Sequence, residues 1–179
     1  MSAPRYPQDV KLVASILSGD AGVVVEVVQA LSERCGVADY ISAPKDFSFT
    51  DYYEKELGTG LVRRFAAFER LVRPESLPDV KLWTNELEKR FSSGGKRRIN
   101  IDPGYLAPAH LILATGKGYS HRPYLRDGIY ADLTLTYQRG GFQILPWTYP
   151  DYADGEMIGI LTRIREKYLL QLRGEKPRE

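Results

Sequence analysis

Lys117, His121 and Arg122 fall close together around a turn. A lysine and an arginine so placed can hold a phosphate or carboxylate, and an imidazole beside them adds a group that titrates near neutrality. Asn100 and Asp102 share one face of a strand by its two-residue period, and Asp102 is placed to orient His121 or to act as a base. Asp132 lies with Tyr130 and Thr134 on the polar face of another strand. A purely structural account competes with this one: Asp102 before Pro103-Gly104 makes an Asx-type turn, and Arg122 pairs with an exposed carboxylate. The chain also carries 12 tyrosines. They cluster at Tyr52-Tyr53, at Tyr119 and Tyr124, and at Tyr149 and Tyr152, the last beside Trp147. Such rings stack on bases or close over a ligand, and they also plug loops over sheets.

Other chemistries are poorly supplied. Gly95-Lys96-Arg97 and Gly116-Lys117-Gly118 lack both the first glycine and the Ser/Thr of a Walker loop, and no G-x-G-x-x-G is present. His110 and His121 do not have H-E-x-x-H spacing, and one cysteine, Cys35, excludes an internal disulfide and a Cys-based zinc site. Asp51, Glu54, Glu56, Asp102, Asp132 and Asp151 form the pool for an oxygen-ligated magnesium ion, against the plainer reading of solvated carboxylates; no metal site is assigned. Ser120 beside His121 is no triad, because neighbours on a strand point to opposite faces. Lys89, Arg90, Lys96, Arg97 and Arg98 make a basic stretch that can meet RNA phosphates or simply face water.

The elements that must position these residues follow from pattern. Lys11 to Ser18 is a buried strand. Asp20 caps a helix carrying Val24, Val27, Val28 and Leu31 at helical spacing and stopped by Gly36. Val37 to Ser42 is a second strand, Thr50 to Gly58 a turn or short helix, and Leu61 to Val72 a third strand. Pro78 opens a helix with Val80, Trp83 or Thr84, Leu87 and Phe91 on its apolar side. From Lys96 onward strands dominate. Arg97 to Tyr105 is broken by an Asp-Pro-Gly turn, and His110 to Thr115 is a short apolar strand. In His121 to Tyr137, Ile129, Ala131, Leu133 and Leu135 share a face. Gly140-Gly141 is a hairpin turn, and Phe142 to Trp147 is the returning strand. Asp154 caps a last helix with Met157, Leu161, Ile164, Tyr168 and Leu172 as its stripe.

The order is β-α-β-β-α-β, then antiparallel strands, then a C-terminal helix. It predicts an α+β protein with a ferredoxin-like core extended by further antiparallel strands. The chain has 179 residues, 43% hydrophobic and 27% charged, with a net charge of +2. That suits a single domain: a lead-in at 1–9, the ferredoxin-like part at 10–105, the extension at 106–152 and the helix at 154–173. Near-balanced charge argues against a general attraction to nucleic acid or anionic membranes. No apolar run suggests a membrane span or secretory leader, so the expectation is a soluble cytoplasmic protein.

Four blocks carry a family resemblance: FTDYYEKELG (Phe49 to Gly58), RRINIDPGYL (Arg97 to Leu106), LATGKGYSHRPYLRDGIYADLTLTY (Leu113 to Tyr137) and WTYPDY (Trp147 to Tyr152). With them the chain resembles, over nearly its whole length, the bacterial domain of unknown function family 4416. The motif residues matched include Asp51, Tyr52, Tyr53, Glu56, Asn100, Asp102, Lys117, His121, Arg122, Trp147, Asp151 and Tyr152. The resemblance implies a single-domain bacterial protein with no established activity. Members sometimes carry the label "GTP-binding protein". Where family sequences show a Thr-Lys-x-Asp-like stretch, this chain has Thr115-Gly116-Lys117-Gly118-Tyr119, without the aspartate that reads guanine.

The sequence therefore predicts a pocket for a small phosphorylated or carboxylated ligand, a nucleotide among the candidates. Lys117 and Arg122 hold the anion together with His121. Asp102 and His121 are the groups for hydrolysis or group transfer, should the protein be an enzyme. Asn100, Tyr52, Tyr53 and Trp147 complete the pocket. The sequence leaves any cofactor unknown, nucleic acid is the less favoured partner and a membrane is not expected. The alternative is a non-catalytic adaptor that meets protein or RNA through its tyrosine-rich loops.

Overall fold

The computed structural model describes residues 3–50 and 52–174. Strand β1 (Val10–Ser18) is buried along its whole length. Its two faces serve two cores: Leu12, Ala14 and Ile16 point to one and Val13 to the other. Helix α1 (Ala21–Cys35) follows at once. The Asp20 carboxylate accepts from the backbone N–H groups of Gly22 and Val23, and this cap, with a buried stripe of Val23, Val24, Val27, Leu31 and Cys35, overrides the strand preference of the valines. Burial pushes the Cys35 thiol up, as expected of a structural cysteine.

Strand β2 (Ala38–Ile41), the short β3 (Lys45–Asp46), the one-turn helix α2 (Glu54–Leu57) and the long strand β4 (Val62–Val72) come next. A 3-10 turn at Pro74–Ser76 leads into α3 (Leu77–Arg90). Strands β5 (Asn100–Ala107), β6 (His110–Thr115), β7 (Tyr124–Arg126), β8 (Ile129–Gln138) and β9 (Gly141–Ile144) precede α4 (Gly155–Leu172). The paired strands are all antiparallel and form one sheet in the order β2-β4-β1-β5-β6-β8-β7, with β3 on β4 and β9 on β8. Within it, β2-β4-β1-β5 with α1 and α3 is the ferredoxin-like arrangement, extended beyond β5 as expected. Helices α1 and α3 cover one face. Helix α4, capped by Asp154, covers the other with Met157, Ile160, Leu161 and Ile164. No helix among the described residues is long and apolar enough to cross a membrane.

Three local expectations are corrected, and each correction shapes the site. Asp102-Pro103-Gly104 is not a turn: β5 runs straight through it, paired with β1 from Leu106 back to Asn100. On its other edge, β5 pairs with β6 only from Gly104 onward. Proline has no N–H for a ladder, and the two strands part at Pro103. At Gly104 they press close, since a Cβ there would lie 2.3 Å from the Ile112 carbonyl oxygen.

The buried side of α3 is not purely apolar, for Lys81, Thr84 and Glu88 lie on it with Leu77 and Leu87. On β8 the expected face is split. The register to β6 shifts between Leu111↔Leu135 and Ile112↔Leu133, so Thr134 is an extra residue. This bulge sends Leu135 to the α4 core while Leu133 packs with Ile112 on the opposite face. It also sets Asp132 opposite Leu113. Two smaller differences concern turns. Asp127 and Gly128, both at positive φ, make a hairpin between β7 and β8 rather than an interruption, and the returning strand ends at Ile144.

Candidate functional site

Where β5 and β6 part, a cavity of about 700 Å³ opens at one end of the sheet. That size suits a small organic ligand. Its floor is built from rows that the sheet register sets side by side. Arg63 lies opposite Leu17, which lies opposite Asn100; Phe65, Ser15 and Asp102 form the next row. Tyr152, from the turn before α4, packs its ring 6.4 Å from Phe65. Helix α3 contributes Lys81 and Asn85 from the other side of the sheet through the gap beside β5. Phe47, Phe49, Thr50, Tyr52 and Tyr53 cover the cavity as a lid. Its rings meet at tilted and edge-on angles, with centroids 5.1–5.9 Å apart.

A polar network stiffens one wall. Arg97 takes the Glu56 carboxylate through Nε and Nη2 at 2.7 Å each. Its Nη1 donates to Glu88 at 2.8 Å and to the Asn100 side-chain oxygen at 3.1 Å. Asn100 donates in turn to Asp102 at 2.8 Å. The other Glu88 oxygen accepts the backbone N–H of Ile101. Lys81 Nζ donates to the Ile101 carbonyl at 2.9 Å and lies 3.5 Å from Asp102. Asp102 is thus aimed, with its side chain 30% exposed. The hydrogen bonds from Arg97 hold the Glu56 carboxyl below its ordinary value, whereas burial pushes Glu88 up. Burial, with the Asp102 charge nearby, pushes the Tyr53 phenol up to about 12, so it stays a donor.

Of the residues singled out from sequence, Asn100, Asp102, Lys117, Tyr52 and Tyr53 line this one cavity. Lys117 stands at its mouth, with Nζ 3.2 Å from the Tyr52 hydroxyl and 5.0 Å from the centre of that ring. His121, Arg122 and Trp147 stand behind the wall instead. Arg122 is 7% exposed. It donates to Asp132 at 2.7 Å, to the Lys117 carbonyl at 3.2 Å and to the Tyr149 hydroxyl at 2.6 Å. It therefore braces the Lys117 loop and does not reach into the cavity. His121 stacks on Trp147 with ring centres 4.9 Å apart, and its Nε2 lies 3.6 Å from Asp132, not near Asp102. Trp147 Nε1 donates to the Leu133 carbonyl.

Arg63, Lys81 and Asn85 are cavity residues that the sequence reading did not single out, and Tyr152 entered it only as one of the clustered tyrosines and matched motif residues. The one signal for Lys81 and Glu88 was a seven-residue, same-face spacing on α3. Arg97 and Arg98, read as part of a basic surface, are both in ion pairs, Arg97 with Glu56 and Glu88 and Arg98 with Asp20. Among the described residues no group of three His, Cys, Asp or Glu side chains is placed to hold a metal ion. Asp51, from the carboxylate pool, lies outside the described residues. Of two further clefts, one of about 500 Å³ beside Cys35 and Arg70 shares no lining residue with the cavity, whereas one of about 600 Å³ beside Leu82 and Glu86 shares Asn85 and Arg97 with it.

No curated protein and no solved structure shows a significant match to the chain. The family described as Domain of unknown function (DUF4416) matches residues 8–168, which span every site residue named above, and the chain belongs to that family.

Proposed function

We propose that the cavity binds a small organic anion, phosphorylated or carboxylated, in a bacterial cytoplasmic protein. The observation that carries this reading is Lys117. Among the described residues it has no carboxylate partner, and it stands at the mouth of the cavity under an aromatic lid. An ammonium so placed meets an anion as the ligand enters. The interior cations and amides then face the rest of the molecule. Any hydrolysis or group transfer uses Asp102 as base, since Asn100 and Lys81 aim it and its carboxylate reaches the cavity.

A thermal-shift panel of nucleotides, sugar phosphates and small carboxylates tests this. A ligand at a hundred times its Kd adds about 2.7 kcal/mol, a rise of roughly 5–10 °C in Tm for a chain of this size. Lys117→Ala weakens the binding about tenfold or more, the worth of a charge-assisted hydrogen bond. The adaptor reading, which the exposed Tyr119 and Tyr124 favour, predicts no shift with any compound of the panel.

A further inference from the structure

The interior of the cavity is balanced in charge. Asp151 sits against Arg63 Nη1, Asp102 lies 3.5 Å from Lys81, and Arg97 serves Glu56 and Glu88. Asp132, the remaining lining carboxylate, belongs to Arg122. Every interior cation has its carboxylate, which leaves Lys117 at the mouth as the charge without one among the described lining residues. The interior instead has unused hydrogen-bonding capacity. Arg63 Nε is buried with no hydrogen-bond partner, and the Tyr152 hydroxyl has near it only the Ser15 hydroxyl, with which it makes no well-formed hydrogen bond; Arg63 and Tyr152 are 7% and 3% exposed. Arg63 is held there by more than charge: its guanidinium lies over Phe47, 4.5 Å from the ring centre. Buried donors of this kind are costly unless something accepts from them. Asp102 offers the complementary acceptor. A second anionic group brought inside would face Asp102 and Asp151 with no free cation to meet it, and would lose its hydration.

We infer that the ligand carries its charge at one end only. Its single anionic group rests on Lys117, and an uncharged polar head enters the cavity, accepting from Arg63 Nε and the Tyr152 hydroxyl and donating to Asp102. Nucleobases and sugars have that mix of acceptors and donors; inorganic polyphosphates and tricarboxylates do not. This inference rests on the anion-binding reading above and narrows it.

The test compares two groups of compounds on the full chain at equal ionic strength, by thermal shift and calorimetry. Nucleoside monophosphates and hexose monophosphates form one group, and pyrophosphate, tripolyphosphate and citrate the other. The expected result is binding by a member of the first group at least tenfold tighter than by any of the second, and which arm binds tells base from sugar. Tyr152→Phe keeps the ring, so it weakens the monophosphate ester about tenfold and leaves inorganic phosphate unchanged, whereas Lys117→Ala weakens both. Arg63→Lys, which keeps the charge but loses Nε, behaves like Tyr152→Phe. Polyanions binding as tightly as the best ester, or Tyr152→Phe and Arg63→Lys both without effect, overturn the inference and leave the anion site standing. Absence of binding by every compound overturns both.

Discussion

Two neighbouring cations do opposite work. Arg122 is buried against Asp132, which is 2% exposed, so Arg122→Ala strands a buried carboxylate and costs about 3–5 kcal/mol of stability. Lys117 is exposed, and Lys117→Ala changes stability by no more than about 0.5 kcal/mol while weakening ligand binding. Urea melts of the two variants separate the brace from the binding group; equal losses would merge their roles. Glu56 gives a pH-dependent readout of its bidentate bond to Arg97. Arg97 depresses its folded-state pKa, so its contribution is complete above the ordinary value of 4.5 and is lost as pH falls through the lower folded value. Glu88 has the opposite sign: burial raises it, and its contribution fades as pH rises past 4.5. Glu56→Gln therefore flattens the stability loss that the wild type shows as pH falls below 4.5, as read from urea midpoints; an unchanged slope would place the acid sensitivity elsewhere.

The cavity exists because two strands stop pairing, and the elements on either side of that break are sensitive to it. Gly104→Ala forces a Cβ against the Ile112 carbonyl and costs about 1–3 kcal/mol or more, measurable by thermal melting; a neutral result would mean that β5 and β6 separate freely. The element order was legible in the sequence, because strand alternation, the Asp20 and Asp154 caps and the glycine stops are local signals. The parts that make the site were not. Pro103 within a Asp-Pro-Gly triplet reads as a turn, and only the pairing of β1 with β5 shows that it is a strand. The Thr134 bulge leaves no mark in an alternating pattern, yet it decides that Asp132 faces the cavity side and Leu133 does not. Arg63 alternates with Phe65 as any strand residue would, and its burial depends on Asp151 and Phe47, both remote in sequence. Asn100 and Asp102 were legible as a pair, because their relation is local.

At the scale of the whole molecule, α4 closes the face on which the cavity opens. Leu161 is fully buried among Val13, Phe65 and Leu113, so Leu161→Ala costs about 2–5 kcal/mol in a urea melt. Compared at equal fraction folded, its ligand affinity matches the wild type, since Leu161 does not line the cavity. The net charge of +2 and the ion-paired state of Arg97 and Arg98 leave no continuous basic track there, and RNA binding with a steep salt dependence is not expected. The most direct test of the central claim is hydrogen–deuterium exchange with and without the tightest-binding ester of the panel. The account predicts slowed exchange in peptides covering 47–53 and 113–117, the lid and the Lys117 loop, with α1 unchanged. Protection centred on another surface, or none at a saturating concentration, would contradict it.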